Sequence, residues 1–168
     1  HREQQLRLVR DRMGEKPLYY GRLAGADFVF ASELKALRAH PQWQSEINRN
    51  ALALYMRHNS VPGAHCIYRG LHKLPPGHWL QVGVQGEAQL QCYWDLTRIA
   101  QAGTQSWNPI EATDRLEQLL DATLRDQSVA DVPLGAFLSG GVDSSAIVAR
   151  LQRLSAQPVR SFAIGFEQ

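Results

Sequence analysis

The run Ser139-Gly140-Gly141-Val142-Asp143-Ser144-Ser145 places hydroxyls and one carboxylate on a glycine-rich turn, a combination suited to holding an anion. Gly140 and Gly141 carry no Cβ, so backbone N–H groups there can come close to a phosphate oxygen. The phosphate loop of kinases and GTPases has Lys and then Ser or Thr after its glycines, whereas Asp143-Ser144-Ser145 stands in that place here. The loop has no cationic side chain of its own. Ser139, Ser144, Ser145 and Asp143 together suit a pyrophosphate whose charge is shared with Mg2+, the metal being held partly by Asp143. The same residues allow a plainer reading, in which Ser-Gly-Gly marks only a tight turn and Asp143 only caps a helix.

Flanking elements have to position this run. Residues 132–138 read as a buried strand, Asp143 opens a helix, and Ala146, Ile147, Leu151 and Leu154 give that helix an apolar stripe at spacings of three and four. The first turn of such a helix adds unpaired N–H groups and the positive end of its dipole. After the short Ala156-Gln157-Pro158 connection, residues 159–166 read as a second apolar strand. Strand, loop, helix and strand in that order make a βαβ unit, and ligands bind at the carboxyl ends of its strands. Upstream, Asn108-Pro109-Ile110-Glu111 sets a cap, a first-turn proline and an acidic residue in the order a helix start favours. Leu116, Leu119, Leu120 and Leu124 are the expected buried face of that helix.

Residues 1–96 have a different texture. Leu18-Tyr19-Tyr20, Phe28-Val29-Phe30, Trp79-Leu80-Gln81-Val82 and Leu90-Gln91-Cys92-Tyr93-Trp94 read as strands, punctuated by Gly21, Gly25, Pro75-Pro76-Gly77 and Gly83. Two helices interrupt them. Ser32 is the expected cap for residues 33–39, and Asn48 or Asn50 caps a helix through Ala53, Leu54 and Met56. Residues 101–109 lack an apolar period and read as a linker.

Composition narrows the class. With 168 residues, 44% hydrophobic and 20% charged content, the chain can bury one good core or two small ones. A formal charge of +2 with scattered basic residues forms no basic stripe, so nucleic acid is not an expected partner, and no membrane span is indicated. Cys66 and Cys92 form no C-x-x-C pair, which argues against a disulfide framework or a zinc site and for reduced thiols in a cytoplasmic protein. The chain starts at His1 and stops at Gln168 directly after an apolar segment, so it reads as a piece of a longer protein.

The loop resembles the pyrophosphate loop of the ATP pyrophosphatases, which split ATP between the α and β phosphates and leave AMP on an oxygen of the substrate. Two further stretches point to one family within that group. Arg10-Asp11-Arg12-Met13-Gly14-Glu15-Lys16-Pro17-Leu18-Tyr19-Tyr20, followed by Phe30-Ala31-Ser32-Glu33-Leu34-Lys35-Ala36-Leu37, is similar to the second half of the glutaminase domain of glutamine-dependent asparagine synthetases. Leu74-Pro75-Pro76-Gly77-His78 is similar to the segment that ends that domain. Arg10, Asp11 and Arg12 are also explained without chemistry, by an ion-pair network ordering the Lys16-Pro17 corner.

The resemblance implies a mixed α/β and α+β chain. Residues 1–96 would be the C-terminal half of a glutaminase domain of the N-terminal-nucleophile type, residues 97–109 a linker, and residues 110–168 the first βαβ unit of a parallel-sheet ATP pyrophosphatase domain. It implies a ligase that converts aspartate to asparagine through an aspartyl-adenylate attacked by glutamine-derived ammonia. ATP, aspartate and glutamine would be its small-molecule substrates, Mg2+ its metal and a homodimer its candidate assembly. Ser139, Gly140, Gly141, Asp143, Ser144 and Ser145 match the pyrophosphate loop, while Leu138 and Ile164 match positions that contact the adenosine part of ATP or, as plain residues, belong to sheet core. Residue 1 is His rather than the nucleophilic Cys, and Cys66 and Cys92 are internal, so no glutaminase catalytic residue is expected here and these residues alone are expected to be inactive. Alternatives are an amidotransferase with another acceptor, such as a cell-surface saccharide precursor or a β-lactam precursor, and a non-catalytic scaffold.

Overall fold

Alternation of apolar side chains with a period of two shapes the first part of the chain. In the computed structural model, which describes residues 4–24, 27–44, 46–103 and 106–165, the chain divides into two units between Gly103 and Thr104. His1, the Gly25 turn, Thr104 in the linker and the Phe166 end of the last expected strand lie outside the described residues.

The first unit contains, in order, β1 (Leu6–Val9), β2 (Tyr19–Arg22), β3 (Phe28–Ala31), α1 (Leu34–Leu37), α2 (Arg49–His58), β4 (Leu71–Lys73), β5 (His78–Val82), β6 (Ala88–Cys92) and α3 (Leu96–Gln101). Its strands form two antiparallel sheets of order β1-β5-β6 and β3-β2-β4. The register sets Leu6 opposite Val82 and Leu8 opposite Leu80, so these apolar side chains share one face. That face, with Leu74, makes a core against which Tyr20 and Phe28 of the other sheet pack. Tyr19 and Val29, on the reverse face of that second sheet, pack with Leu37, Cys66 and Leu71 in another core. One layer of sheet thus separates two small cores, because successive side chains of a strand point to opposite faces.

Local signals agree with the sequence in part. Asn48 caps α2, its side chain accepting from the Asn50 and Ala51 N–H groups at 3.1 and 3.3 Å. Ser32 does not cap a helix over 33–39; α1 is a single turn whose N-cap is Glu33, without a side-chain cap bond. Burial of Leu37 holds that turn in place of a cap. β1 and β4, which the sequence reading passes over, are three or four residues long and too short to show a period by themselves. The Arg10 corner is also differently made. Arg10 is buried and donates to the carbonyls of Lys16, Gly14 and Leu74 at 2.9, 2.8 and 2.6 Å, while Asp11 accepts from the Glu15 N–H at 2.9 Å. Hydrogen bonds to backbone, rather than an ion-pair network, order this corner. The Glu15 N–H, first among several backbone donors, holds the Asp11 carboxyl below its ordinary value.

The second unit contains α4 (Pro109–Gln127), β7 (Gly135–Phe137), α5 (Val142–Leu154) and β8 (Arg160–Phe162). The α4 start is as read: Asn108 accepts from the Glu111 N–H at 2.9 Å, and the Glu111 carboxylate returns to the Asn108 N–H at 3.4 Å. β7 and β8 pair in parallel, with Gly135 opposite Arg160 and Phe137 opposite Phe162. Leu96–Gln101 is helical where the sequence reading starts its linker at residue 97, because Asp95 caps it by accepting from the Thr97 N–H at 2.8 Å.

Burial in this unit departs from expectation. The strand expected over 132–138 is ladder only at Gly135–Phe137, and Val132 and Phe137 are exposed. On α4, Leu116 and Leu119 are exposed, while Leu120 and Leu124 are half-buried. A parallel strand hides its side chains only where neighbours cover both faces, and the described residues of this unit supply one partner strand. Among those residues the buried side chain is Arg150.

Candidate functional site: an open anion loop

Between the end of β7 and the start of α5 the chain turns at Gly140, whose φ of +81° lies in the left-handed region that favours glycine. A Cβ built there would meet nothing within 4 Å. The Leu138 N–H is committed to the Phe162 carbonyl at 2.8 Å, which ties the loop's first residue to β8. The next N–H with a partner is that of Ser145, on the Gly141 carbonyl at 3.1 Å. Between them, the N–H groups of residues 139–144 make no hydrogen bond among the described residues.

That row of amides arises from helix geometry. The first N–H groups of any α-helix lack an intrahelical acceptor, and side chains or ligands commonly satisfy them. α5 begins at Val142 with Gly141 as N-cap and has no side-chain cap bond, so Asp143 lies in the first turn rather than opening the helix. The capping alternative for Asp143 is therefore not what this helix uses. Asp143 is exposed, and its carboxylate has no hydrogen bond or ion pair among the described residues. An anion at this spot meets N–H dipoles and the positive end of α5.

The serines are placed differently from one another. Ser144 and Ser145 each donate to the Gly141 carbonyl, at 3.1 and 2.8 Å, and Ser139 Oγ lies 3.0 Å from Ser144 Oγ. Because the Ser144 and Ser145 hydroxyls donate to the Gly141 carbonyl, their donation to a phosphate oxygen requires these hydroxyls to rotate. Leu138 is half-buried beside β8, while Ile164 is 80% exposed and so is not sheet core among the described residues.

One exposed carboxylate beside hydroxyl oxygens and open space is a donor set that fits a hard cation sharing its shell with phosphate oxygens. Asp143, exposed and one residue into α5, is the carboxylate that would hold Mg2+ here.

Arg150, two turns along α5, escaped the sequence reading. Its guanidinium pairs with Glu117 at 2.6 Å and Asp121 at 2.7 Å, both on α4. The hydrogen bond from Arg150 is the first cause that holds the Asp121 carboxyl below its ordinary value, and the same bond pushes Arg150 up. The signal was present: Arg150 shares the face of Ile147, Leu151 and Leu154, and Glu117 and Asp121 are four apart on α4. A cavity of about 980 Å3 lies at the other ends of β7 and β8, lined by Leu134, Gly135, Leu154 and Arg160, away from the loop.

A parallel strand pair with an open glycine-rich loop, on the same chain as an antiparallel two-sheet unit, narrows the class, and comparison with known proteins completes it. Residues 1–94 match the family described as Glutamine amidotransferase domain, and residues 115–168 match Asparagine synthase. The chain is 32% identical over 166 residues to Asparagine synthetase (glutamine-hydrolyzing) 3 of Bacillus subtilis, with 95% of this chain and 26% of that protein aligned. It is 33% identical to Putative asparagine synthetase (glutamine-hydrolyzing) 2 of Methanocaldococcus jannaschii, with 94% and 30% aligned. Amidase chry2 of Gibberella zeae is 30% identical over 157 residues, with 92% and 22% aligned. The chain belongs to the glutamine-hydrolysing asparagine synthetase family, a family of enzymes. It spans between about a quarter and a third of the length of the first of these curated relatives.

Proposed function

We propose that the protein is an ATP-dependent amide-forming ligase that converts aspartate to asparagine by way of an aspartyl-adenylate and glutamine-derived ammonia. Residues 1–96 would belong to its glutaminase domain of the N-terminal-nucleophile type, residues 97–109 to a linker, and β7, α5 and β8 to the first βαβ unit of its ATP pyrophosphatase sheet. The observation that carries this reading is the unpartnered row of N–H groups over residues 139–144, on a chain whose other unit matches a glutamine amidotransferase domain.

In the proposed reaction the aspartate carboxylate attacks the α-phosphorus of ATP and pyrophosphate departs, gaining negative charge as the bond breaks. Fixed N–H dipoles of residues 139–144 face that charge and need no reorganisation to stabilise it. Ser144 and Ser145 would add donors after their hydroxyls rotate from the Gly141 carbonyl, and Ser139 after its hydroxyl leaves Ser144. When bound, Mg2+ would neutralise part of the same charge, with Asp143 as its protein ligand. Leu138 and Ile164, one half-buried and one exposed at the adjoining strand ends, offer apolar surface to the adenosine portion.

The full-length protein is expected to release pyrophosphate and AMP from ATP only when aspartate is present. Pyrophosphate release that ignores aspartate but follows another carboxylate or carbonyl substrate would support the second reading, an amidotransferase with a different acceptor. That reading draws on the relative named Amidase chry2, which aligns with 92% of this chain. On the 168-residue chain, titration with Mg2+ and pyrophosphate tests the loop itself. Binding should fall at least about tenfold in Asp143→Ala, the loss of roughly one charge-assisted contact, and no binding by either form would remove the loop from the argument.

A further inference from the structure

We infer that Cys92 and His78 form a second reactive site, in the first unit, that takes a small disulfide and becomes a mixed disulfide at Cys92. They are partners in the β5–β6 register, so their side chains rise from the same face of adjacent strands. Both line a cavity of about 430 Å3 together with Arg12, Trp94, Asp95 and Leu96. Cys92 is exposed, and its thiol donates to the Trp94 carbonyl at 3.3 Å.

The imidazole is oriented by a third group. His78 Nδ1 lies 2.7 Å from the Pro76 carbonyl oxygen, which can only accept, so Nδ1 carries the proton and Nε2 is left as the basic nitrogen. A nucleophile and, at the paired position of the neighbouring strand, a base with a fixed orienter are the parts from which activated thiols are built. Arg12 adds a cation to the rim, which suits a carboxylate of a peptide-like thiol compound, while the Asp95 carboxylate is engaged by the Thr97 N–H and Arg98. Cys66 offers the contrast within the same unit: it is buried beneath Tyr68 and Leu71, and that burial pushes its thiol up.

The step balances without a further reagent. The Cys92 thiol first rotates from the Trp94 carbonyl towards the paired His78; its proton then passes to Nε2, the thiolate attacks one sulfur of the disulfide, and that S–S bond breaks as the new one forms. Cys92 is oxidised, one half of the small disulfide is reduced, and the departing thiolate recovers the proton from His78. No part of the synthetase reading enters this site.

Oxidised glutathione is the probe, with intact-mass and peptide mapping of the 168-residue chain as the readout. One glutathionyl group is expected, on Cys92, with none in Cys92→Ser and Cys66 unmodified while the fold persists. His78→Gln should slow the reaction at least about tenfold near neutral pH, short of the roughly 10²–10⁴-fold contribution of a general base engaged in a closed active site. That deficit should close at alkaline pH, where a thiol ionises without help. Arg12 and Asp95 are the other charged groups facing the cavity, and Arg12→Ala should retain the His78 dependence. Equal modification of Cys66, no modification at all, or a rate indifferent to His78 at neutral pH would each overturn the proposal.

Discussion

Gly77 and Gly140 turn the chain through the same region of backbone space, with φ of +66° and +81°, and yet their surroundings are opposite. A Cβ on Gly77 would collide with the Trp94 carbonyl oxygen, and the Gly77 carbonyl accepts from the Tyr93 and Trp94 N–H groups at 2.9 and 3.1 Å. A Cβ on Gly140 would meet nothing. The first glycine is demanded by protein packed against it, and the second leaves space beside amides that no group among the described residues satisfies. Gly63 and Gly103 also have positive φ and open surroundings, so openness alone does not define a site. What distinguishes Gly140 is the row of N–H groups that follows it and the helix dipole behind them.

The two units differ in the same sense. The first buries Leu8, Leu37, Leu71, Leu74 and Leu80, whereas the second leaves Ile110, Leu116, Val132 and Phe137 exposed and buries Arg150 between acidic residues. The first unit is therefore governed by apolar burial on both faces of a sheet, and the second, among the described residues, by an ion-paired helix contact and one strand pairing.

Core truncation should separate the units most strongly. Leu80→Ala is expected to destabilise the first unit by roughly 3–4 kcal/mol, as for other well-buried leucines, while Leu116→Ala in the second should change stability by no more than about 0.5 kcal/mol. Urea unfolding followed by unit-specific probes measures both, and similar costs would erase the contrast. Gly77→Ala comes next, at about 3 kcal/mol, since overpacking adds to the left-handed backbone penalty. Gly140→Ala should cost only about 1 kcal/mol, the backbone term alone, but should weaken Mg2+-pyrophosphate binding disproportionately. Equal stability losses at the two glycines would contradict the difference in their surroundings.

The smallest expected effect is a pH response. Asp121 has its carboxyl held down in the folded chain by Arg150, so its ionised form contributes stability above the unfolded value of 3.8. That contribution is lost as pH falls through the lower folded value. Asp11, held down by the Glu15 N–H, behaves likewise in the first unit. Asp121→Asn should flatten the acid limb of the second unit and leave that of the first, and Asp11→Asn should do the reverse. Midpoints recorded from about pH 6 to about pH 2, a range spanning ordinary carboxyl titration, would show it.

Sequence was most legible where a short-range rule decides the outcome. Asn108 and Glu111 form their reciprocal cap, Asn48 caps α2, and the strands around Tyr19, Phe28, Trp79 and Leu90 form within a residue or two of their expected limits. It was least legible where a longer contact decides. Ser32 looks like a cap by type, but Leu37 packing sets α1; Arg10 looks like part of an ion-pair network, but backbone carbonyls engage it, among them that of Leu74, 64 residues along the chain. Residues 132–138 look like a buried strand by composition, but only Gly135–Phe137 finds a ladder partner.

Residue order by itself determined the glycine-rich turn, the carboxylate and hydroxyls beside it, and the helix that follows, because these depend on Cβ sterics and bonds spanning a few positions. Tertiary structure decided which polar groups are consumed and which stay open. It buried Arg150 against α4 and set Cys92 opposite His78. Those outcomes depend on strand register and helix docking, in which groups far apart in the chain compete for the same partners.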